Sequence, residues 1–377
     1  MSLTETYDSS QAVDYHYGQF PPSTLDADRL LVPLSKASAA IARYDQMLKS
    51  LHNSAILLGP LRNQEAVISS RMEGTVSTLD EVLRYEAEVD EVGGTPSHHR
   101  HDAMEVALYG RALLNAQQRI EQGAGLSSWL LRSAHAELLA FGRGATARPG
   151  ELKVDQNYLV DSAKRKILFQ PIAPTYLQDG IDRLFQYIDA PDIEILIKTA
   201  VSHVEFEALH PFDDGNGRIG RMLITLLLWK FNAISAPHFY VSAYFERNRD
   251  EYIDRMRAVS SEGAWTDWVV FFLEGLENQA AENLDAAERI RSLYEAMKDQ
   301  FRDLLSSQWA TTALDFVFSR PVFRNRAFTK ASGIPTATAQ RFTRILVDHG
   351  VLDTLDAASG RRSALYAFEP LLKIVRS

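Results

Sequence analysis

Cysteine is absent from the 377 residues, which excludes a disulfide framework, a thiolate zinc site and a cysteine nucleophile. That absence fits a reducing compartment. Long apolar runs are also missing. The greasiest stretch, Met222 to Trp229, is about half of the roughly 20 residues that a membrane crossing takes, and reads as a buried helix. The opening MSLTETYDSSQAVDYHYGQFPP has neither a basic head nor an apolar run, so no signal peptide shows. The expectation is a soluble, cytoplasmic protein with no membrane partner. Excess positive charge is lacking too: 40 basic against 49 acidic residues leave -9. This argues against a chain that coats nucleic acid, while leaving room for a local basic patch. With 46% apolar residues there is material for a sizeable core and two or three domains.

What is present is mostly helical pattern. Residues 1 to about 24 read as a loose arm. Past Pro33, LSKASAAIARYDQMLKSL repeats apolar residues at helical spacing, and LRNQEAVISSRM after Pro60 gives a second helix. Ser77 followed by Glu81 suggests the start of a third. His98, His99 and His101 fall in a Gly/Pro/Ser-containing stretch with no fourth ligand suggested nearby, and read as solvated rather than metal-binding. Helical pattern continues to about residue 306. It covers separate runs at AWTDWVVFFLEGL and from Gln279 to Ser306, with one interruption. There, Val154–Val160 and Lys166–Gln170 read as the arms of a hairpin joined by DSAKR. From residue 311 the character changes: ten basic and five acidic side chains give +5, against -14 for the rest. LDFVFS, FTKASG, TATAQRFTRILVDHGVL and ALYAF read as helix-turn-helix plus a two-stranded wing. The expected fold is therefore mainly α. Its stretches are 1–105, 106–310 and a winged-helix-like 311–377.

The chemistry concentrates in His210-Pro211-Phe212-Asp213-Asp214-Gly215-Asn216-Gly217-Arg218-Ile219-Gly220-Arg221, between two apolar helices. Gly215 and Gly217 let main-chain N–H groups turn inward as a nest, and a helix opening near Gly217 adds its unsatisfied donors. Arg218 and Arg221, three apart, share one side of the first turn, where guanidinium forks suit phosphate oxygens. A carboxylate beside an anion cradle makes sense if Mg²⁺ sits between Asp214 and a polyphosphate. His210 is placed to take a proton from an attacking hydroxyl. Phe212 pegs the loop to the core. The loop is neither a Walker nor a Rossmann fingerprint.

These residues resemble the signature of the Fic (filamentation induced by cAMP) domain family, HxFx(D/E)GNGRxxR, with every fixed position met. Pro149-Gly150-Glu151-Leu152-Lys153 with Gln156-Asn157 resembles the family's PGxxR…QN segment, Lys153 standing where Arg is common. The resemblance implies a Fic-type helical core and transfer of AMP from ATP, with Mg²⁺, to a Tyr, Thr or Ser hydroxyl of a protein, self-modification included. His210 corresponds to the base and Asp214 to the metal ligand. Gly215, Asn216 and Gly217 correspond to the anion hole, Arg218 to a phosphate contact and Arg221 to the γ-phosphate receiver. The hairpin resembles the family's flap, which pairs with an extended target segment. Ile167, Leu168, Phe169 and Gln170 are the expected docking strand. A homodimer is a further implication. His203 and Glu207 read as buried polar supports of the loop.

Ser69-Ser70-Arg71-Met72-Glu73-Gly74 resembles the family's inhibitory signature, (S/T)xxxE(G/N), at the end of a helix over about 62–74. The implied brake is Glu73 pairing with Arg221, with Ser69 one turn earlier and Gly74 after it. The bland reading is a helix end with Glu then Gly. Alternatives left open are removal of AMP and transfer of another phosphate-containing group such as UMP or phosphocholine. Another is a DNA-binding regulator whose Fic-like part senses nucleotide and which uses 311–377, with Arg341, Arg344, Arg361 and Arg362 meeting phosphates.

Overall fold

The computed structural model describes residues 7–89, 101–161 and 163–376, and the protein is mainly helical with small sheets. The chain forms two compact units, each discontinuous in sequence: residues 1–43 with 111–281, and 44–110 with 282–377. Their limits fall inside three helices, α1 (Ala27–Ser50), α5 (His101–Glu121) and α12 (Trp265–Leu305). The remaining helices before α12 are α2 (Ser54–Leu57), α3 (Gly59–Met72), α4 (Leu79–Val89), α6 (Ser128–Leu138), α7 (Pro174–Asp189), α8 (Ile195–Leu209), α9 (Asn216–Lys230), α10 (Ser242–Arg247) and α11 (Arg249–Glu262).

In the first unit, α8 and α9 pack side by side, with α7 and α6 against them. Their close approach is written into Gly220, where an added Cβ would lie 2.1 Å from Glu207 Oε1. Both helices are buried nearly all round, their polar members His203, Glu205, Glu207, Arg218 and Arg221 included. Trp265, Trp268, Phe271 and Phe272 are core, at 5% exposure or less, and Trp268 Nε1 donates to Ala200 O at 2.8 Å. Two helical expectations change. The helix drawn from Leu34 begins at Ala27, capped by Asp26, whose Oδ1 accepts from Arg29 N at 3.2 Å, and runs through Pro33. The runs around Trp265 and Gln279 form a single 41-residue helix. Gly275 marks no break there: a Cβ would sit 2.8 Å from the Tyr244 ring, so the glycine serves packing.

The arm expected to be loose is held. Residues Val13–Asp14 form β1, parallel to β3 (Lys166–Gln170), which pairs antiparallel with β2 (Leu159–Asp161); the order is β1-β3-β2. Tyr15 Oη donates to Glu205 Oε1 at 2.7 Å. His16 bridges Glu205 Oε2 at 2.8 Å and Ser260 Oγ at 2.7 Å. The first hairpin arm is shorter than expected, because residues 153–157 bond to the loop after α8 instead of to a strand.

In the second unit, α3 and α4 pack with the C-terminal elements. These are α13 (Ala310–Ser319), β4 (Val322–Arg324), α14 (Asn325–Ala331), α15 (Thr336–Asp348), β5 (Asp353–Asp356), β6 (Leu365–Ala367) and α16 (Glu369–Val375). The wing is a three-stranded sheet, β4-β6-β5, rather than two-stranded. The short β4 was missed because three residues carry no alternation to read. Arg324, 1% exposed, reaches Glu88 at 3.6 Å and Asp356 at 3.3 Å. Arg376 joins Asp80 at 2.6 Å to Glu369 at 2.8 Å.

Candidate active site

The loop from α8 to α9 opens with backbone strain. His210 caps α8 at φ 45°, ψ 61°, a left-handed conformation uncommon for a residue with a side chain. Its N–H closes the helix on Phe206 O at 3.0 Å. Nδ1 faces Glu207 O at 3.3 Å. A carbonyl only accepts, so Nδ1 carries the proton and the lone pair falls on Nε2, the tautomer a general base needs.

The loop's carbonyls are spoken for from behind. Lys153 Nζ donates to Leu209 O at 3.1 Å, and Lys153 N to Pro211 O at 2.9 Å. Asn157 Nδ2 donates to His210 O at 3.1 Å and Phe212 O at 2.9 Å. His135 Nε2 donates to Asp214 O at 2.8 Å, its tautomer set by Nδ1 accepting from Gly150 N at 2.8 Å. The His135 ring also stacks on Phe212 at 3.8 Å and 7°. Arg148 grips Asp213 Oδ2 at 2.7 Å. Turning carbonyls outward leaves the opposite side of the chain to its N–H groups, the requirement of an anion nest.

Asn216 closes the loop from within, its Oδ1 accepting from Phe212 N and its Nδ2 donating to Phe212 O, both at 2.8 Å. Its amide is therefore committed to loop shape, and its main-chain N–H is what it can offer an anion. Gly215, at φ 77°, is the left-handed N-cap of α9. A side chain there would crowd Leu138 at 3.3 Å and face unfavourable φ.

Two arginines follow one turn apart. Arg218 and Arg221 are 4% and 2% exposed. Arg218 Nη2 lies 3.6 Å from Asp214 Oδ1, while its Nε and Nη1 are buried with no hydrogen-bond partner among the described residues. Leaving a buried cation's donors unmet is costly. The Asp214 side chain is 50% exposed, and its Oδ1 accepts from Gly215 N at 2.6 Å.

Burial sets the charge of the supports. It pulls His135 down to about 4 and the fully buried His203 to about 3, so both rings are neutral at pH 7. His203 Nδ1 donates to Gly220 O at 3.0 Å, and Nε2 takes the Tyr252 hydroxyl at 2.8 Å. Burial also lowers Lys153 to about 7, Asp213 opposing the shift.

The sequence brings His210 and 214–221 together by contiguity. His135 and Arg148 escaped it, having no signal beyond being polar residues in or after a helix. Ile167–Gln170 is the central strand, with β2 on one edge and β1 on the other. Ile167 N donates to Asp8 O at 2.9 Å, and Gln170 O accepts from Tyr15 N at 3.0 Å. In the second unit, Ser69 is fully buried on α3, and Glu73 is its C-cap. Gly74 at φ 85° ends that helix, its N donating to Arg71 O at 2.9 Å and Thr75 N to Ser70 O at 3.1 Å. This paired closure accounts for the glycine of the signature by helix termination alone. Of the other histidines weighed, His98 and His99 lie outside the described residues.

Residues 31–118 match the model of the Fic/DOC family N-terminal region, and residues 125–228 match the Fic/DOC family itself. The chain belongs to the Fic/DOC family. The Fic match holds His210 and the whole cradle, and the N-terminal match holds Ser69 to Gly74. A probable protein adenylyltransferase of Aquifex aeolicus is 27% identical over 205 residues, 54% of this chain and 56% of that protein. The protein adenylyltransferase fic-1 of Caenorhabditis elegans is 28% identical over 65 residues, 16% of this chain and 13% of that one. The chain thus spans about half the length or less of these curated relatives. Among solved structures, a Fic family protein from Desulfovibrio desulfuricans superimposes with TM-score 0.58 at 17% identity, covering 92% of this chain and 98% of that one. A Fic domain containing signaling protein from Bacteroides thetaiotaomicron gives 0.53 at 16%, covering 67% and 97%. These likenesses concern the Fic fold. No helix among the described residues is long and apolar enough to cross a membrane.

Proposed function

We propose that this Fic protein is a protein adenylyltransferase, moving AMP from ATP to a Tyr, Thr or Ser hydroxyl of a protein, itself included. The observation that carries the reading is Arg218, an almost buried guanidinium with two unmet nitrogens beside a nest of N–H groups. Such a site is electrostatically incomplete until an anion enters, and the carboxylate at its mouth suits a metal-bound polyphosphate better than a bare anion. The names of the Aquifex and nematode relatives point the same way.

In this mechanism the acceptor hydroxyl gives its proton to His210 Nε2 as its oxygen bonds to the α-phosphorus. The bond from that phosphorus to the α,β-bridging oxygen breaks, and pyrophosphate leaves. Main-chain N–H groups of Asn216 and Gly217 meet the charge growing on the transferred phosphate, and that of Gly215 joins them once it leaves Asp214 Oδ1. Arg218 and Arg221 hold the outer phosphates. Asp214 is the group to hold Mg²⁺, which when bound would offset phosphate charge.

Glu73 is the proposed brake: its carboxylate competes with the γ-phosphate for Arg221. The flap reading belongs to the same proposal. Because β3 is paired on both edges, an extended acceptor either adds to β2 or displaces residues 8–15. A homodimer and a cytoplasmic setting are part of this reading.

The decisive test incubates the full-length Glu73→Gly protein with Mg²⁺ and ATP labelled at either the α- or the γ-phosphate. Label should enter protein from the α-position only, and mass spectrometry of the adduct should give AMP. Incorporation of the γ-label, or a different added group from a nucleotide mixture, would refute adenylyl transfer. Loss of AMP from a pre-modified protein as the faster reaction would reverse its direction.

A further inference from the structure

The second unit carries a charge pattern that adenylyl transfer does not use. Of the five acids among residues 311–376, three are spent on one set of contacts, and Asp348 on α15 and Asp353 on β5 are exposed. Asp356 lies near Arg84 and Arg324, Glu369 is paired with Arg376, and Asp315 accepts from Tyr294 Oη at 2.6 Å. Arg324 and Arg376 face the same way, toward Glu88 and Asp80 of α4. Besides Lys373 on α16, the exposed cations left over lie elsewhere in the module: Arg326 and Lys330 on α14, Arg341 and Arg344 on α15, Arg361 and Arg362 in the wing turn. All six are exposed, and none has a carboxylate at bridging distance among the described residues.

The backbone gathers them. α14 and α15 form a helix-turn-helix through Gly333 at φ 75°. Ala339, Phe342, Thr343 and Leu346 bury one side of α15, which turns Gln340, Arg341 and Arg344 outward. The wing base is tied to the start of α14: Asn325 N donates to Ala364 O at 2.9 Å and Arg326 N to Ser363 Oγ at 3.2 Å. Arg326 therefore neighbours the segment that directly follows Arg361 and Arg362.

We propose that this face of α14, α15 and the wing binds duplex DNA through its phosphates. Charge complementarity argues for a polyanion, and an outward second helix beside a cationic wing matches the shape of a grooved duplex. A greasy protein interface or a lipid surface fits less well. None of the large exposed apolar residues among those described lies between 311 and 376. The net charge of -9 for the whole chain makes the patch a local feature rather than a general stickiness. This inference does not depend on the transferase reading.

The test is fluorescence anisotropy of a labelled random-sequence duplex with the full-length protein, from low to moderate salt. Contact with about four phosphates predicts a slope of log affinity on log salt near -4, so affinity falls on the order of 100-fold between 50 and 200 mM. Arg341→Ala with Arg344→Ala should weaken binding at least tenfold. Arg341→Lys with Arg344→Lys should largely keep it, and circular dichroism melts establish that these exposed changes leave folding intact. Lys373→Ala, which removes one positive charge on α16, should leave binding unchanged. No binding at 50 mM salt overturns the proposal. So does an equal loss in Lys373→Ala, or tighter binding of single-stranded RNA or heparin than of duplex.

Discussion

The unit built around α8 and α9 and the unit built around α3, α4 and the C-terminal module use charge in opposite ways. In the first, cations are buried and aimed at a cradle: Arg218 and Arg221 are nearly inaccessible, and loop carbonyls are consumed by His135, Lys153 and Asn157. In the second, the buried arginine Arg324 is met by Glu88 and Asp356, and the unmatched cations are outside. The two unmet nitrogens of Arg218 in a sheltered nest suit a small anion; exposed cations on an open face suit a large one. That is the difference to expect between the proposed site for chemistry and the proposed surface for docking.

The sharpest way to break that contrast is at the base. In a Glu73→Gly background, His210→Ala should lower the rate of AMP incorporation about 1000-fold, the usual worth of a positioned general base, with ATP affinity little changed. A rate within tenfold of the parent would remove His210 from the reaction and leave the cradle as a binding site only.

Next in size is a pH effect confined to the first unit. His135 has its folded pKa lowered to about 4 from 6.5. Between those values the unfolded chain binds more protons than the folded one, so the contribution is fully present above pH 6.5 and lost as pH falls toward 4. The shift amounts to about 3 kcal/mol. His203, lowered to about 3, acts with the same sign. Unfolding free energies measured across this range should therefore decline with acid, and His135→Gln should flatten the decline while His203 sustains the remainder. An unchanged slope in His135→Gln would mean the ring is not held neutral against Phe212.

Much of this first unit was legible because its chemistry is contiguous. A nest, a carboxylate and two arginines within one turn each constrain the others, and local spacing is what a sequence displays. The supports were harder to read. His135 lies 75 positions before His210 in the numbering, on an ordinary amphipathic helix, and only folding places its ring on Phe212. The arm at Tyr15 and His16 looked loose because its anchors, Glu205 and Ser260, are distant in the chain. β3 read as a hairpin arm, yet nothing local foretold a third strand at Val13–Asp14. In the second unit the helices were visible, and so was the +5 tail, while its joining to α3 and α4 rests on long-range pairs such as Arg324 with Glu88.

Releasing Glu73 probes whether the second unit also acts on the first. Glu73→Gly should raise self-labelling on the order of 100-fold if its carboxylate displaces the γ-phosphate or mis-sets the reacting atoms by about 1 Å. Glu73→Gln, which keeps the shape and removes the charge, should recover a large part of that gain. Gly74 already has a sufficient reason in the closure of α3. The brake therefore stands on Glu73 alone, and unchanged labelling in both variants would reduce the signature to a helix end.

The smallest effect tests how local signals behave within the unit that is otherwise assembled from afar. The helix α4 begins with a reciprocal cap: Thr78 N donates to Glu81 Oε2 at 2.8 Å, and Glu81 N to Thr78 Oγ1 at 3.3 Å. Sequence reading put Ser77 in that place, and Ser77 Oγ does reach Glu81 at 3.3 Å, but it satisfies no main-chain donor of the helix. Thr78→Ala should thus cost about 1 kcal/mol in chemical denaturation, and Ser77→Ala a fraction of that. The same substitutions should leave AMP incorporation in the Glu73→Gly background within twofold, since they alter neither cradle nor base. A larger loss from Ser77→Ala would show that the helix starts one residue earlier in solution, with the cap the sequence suggested.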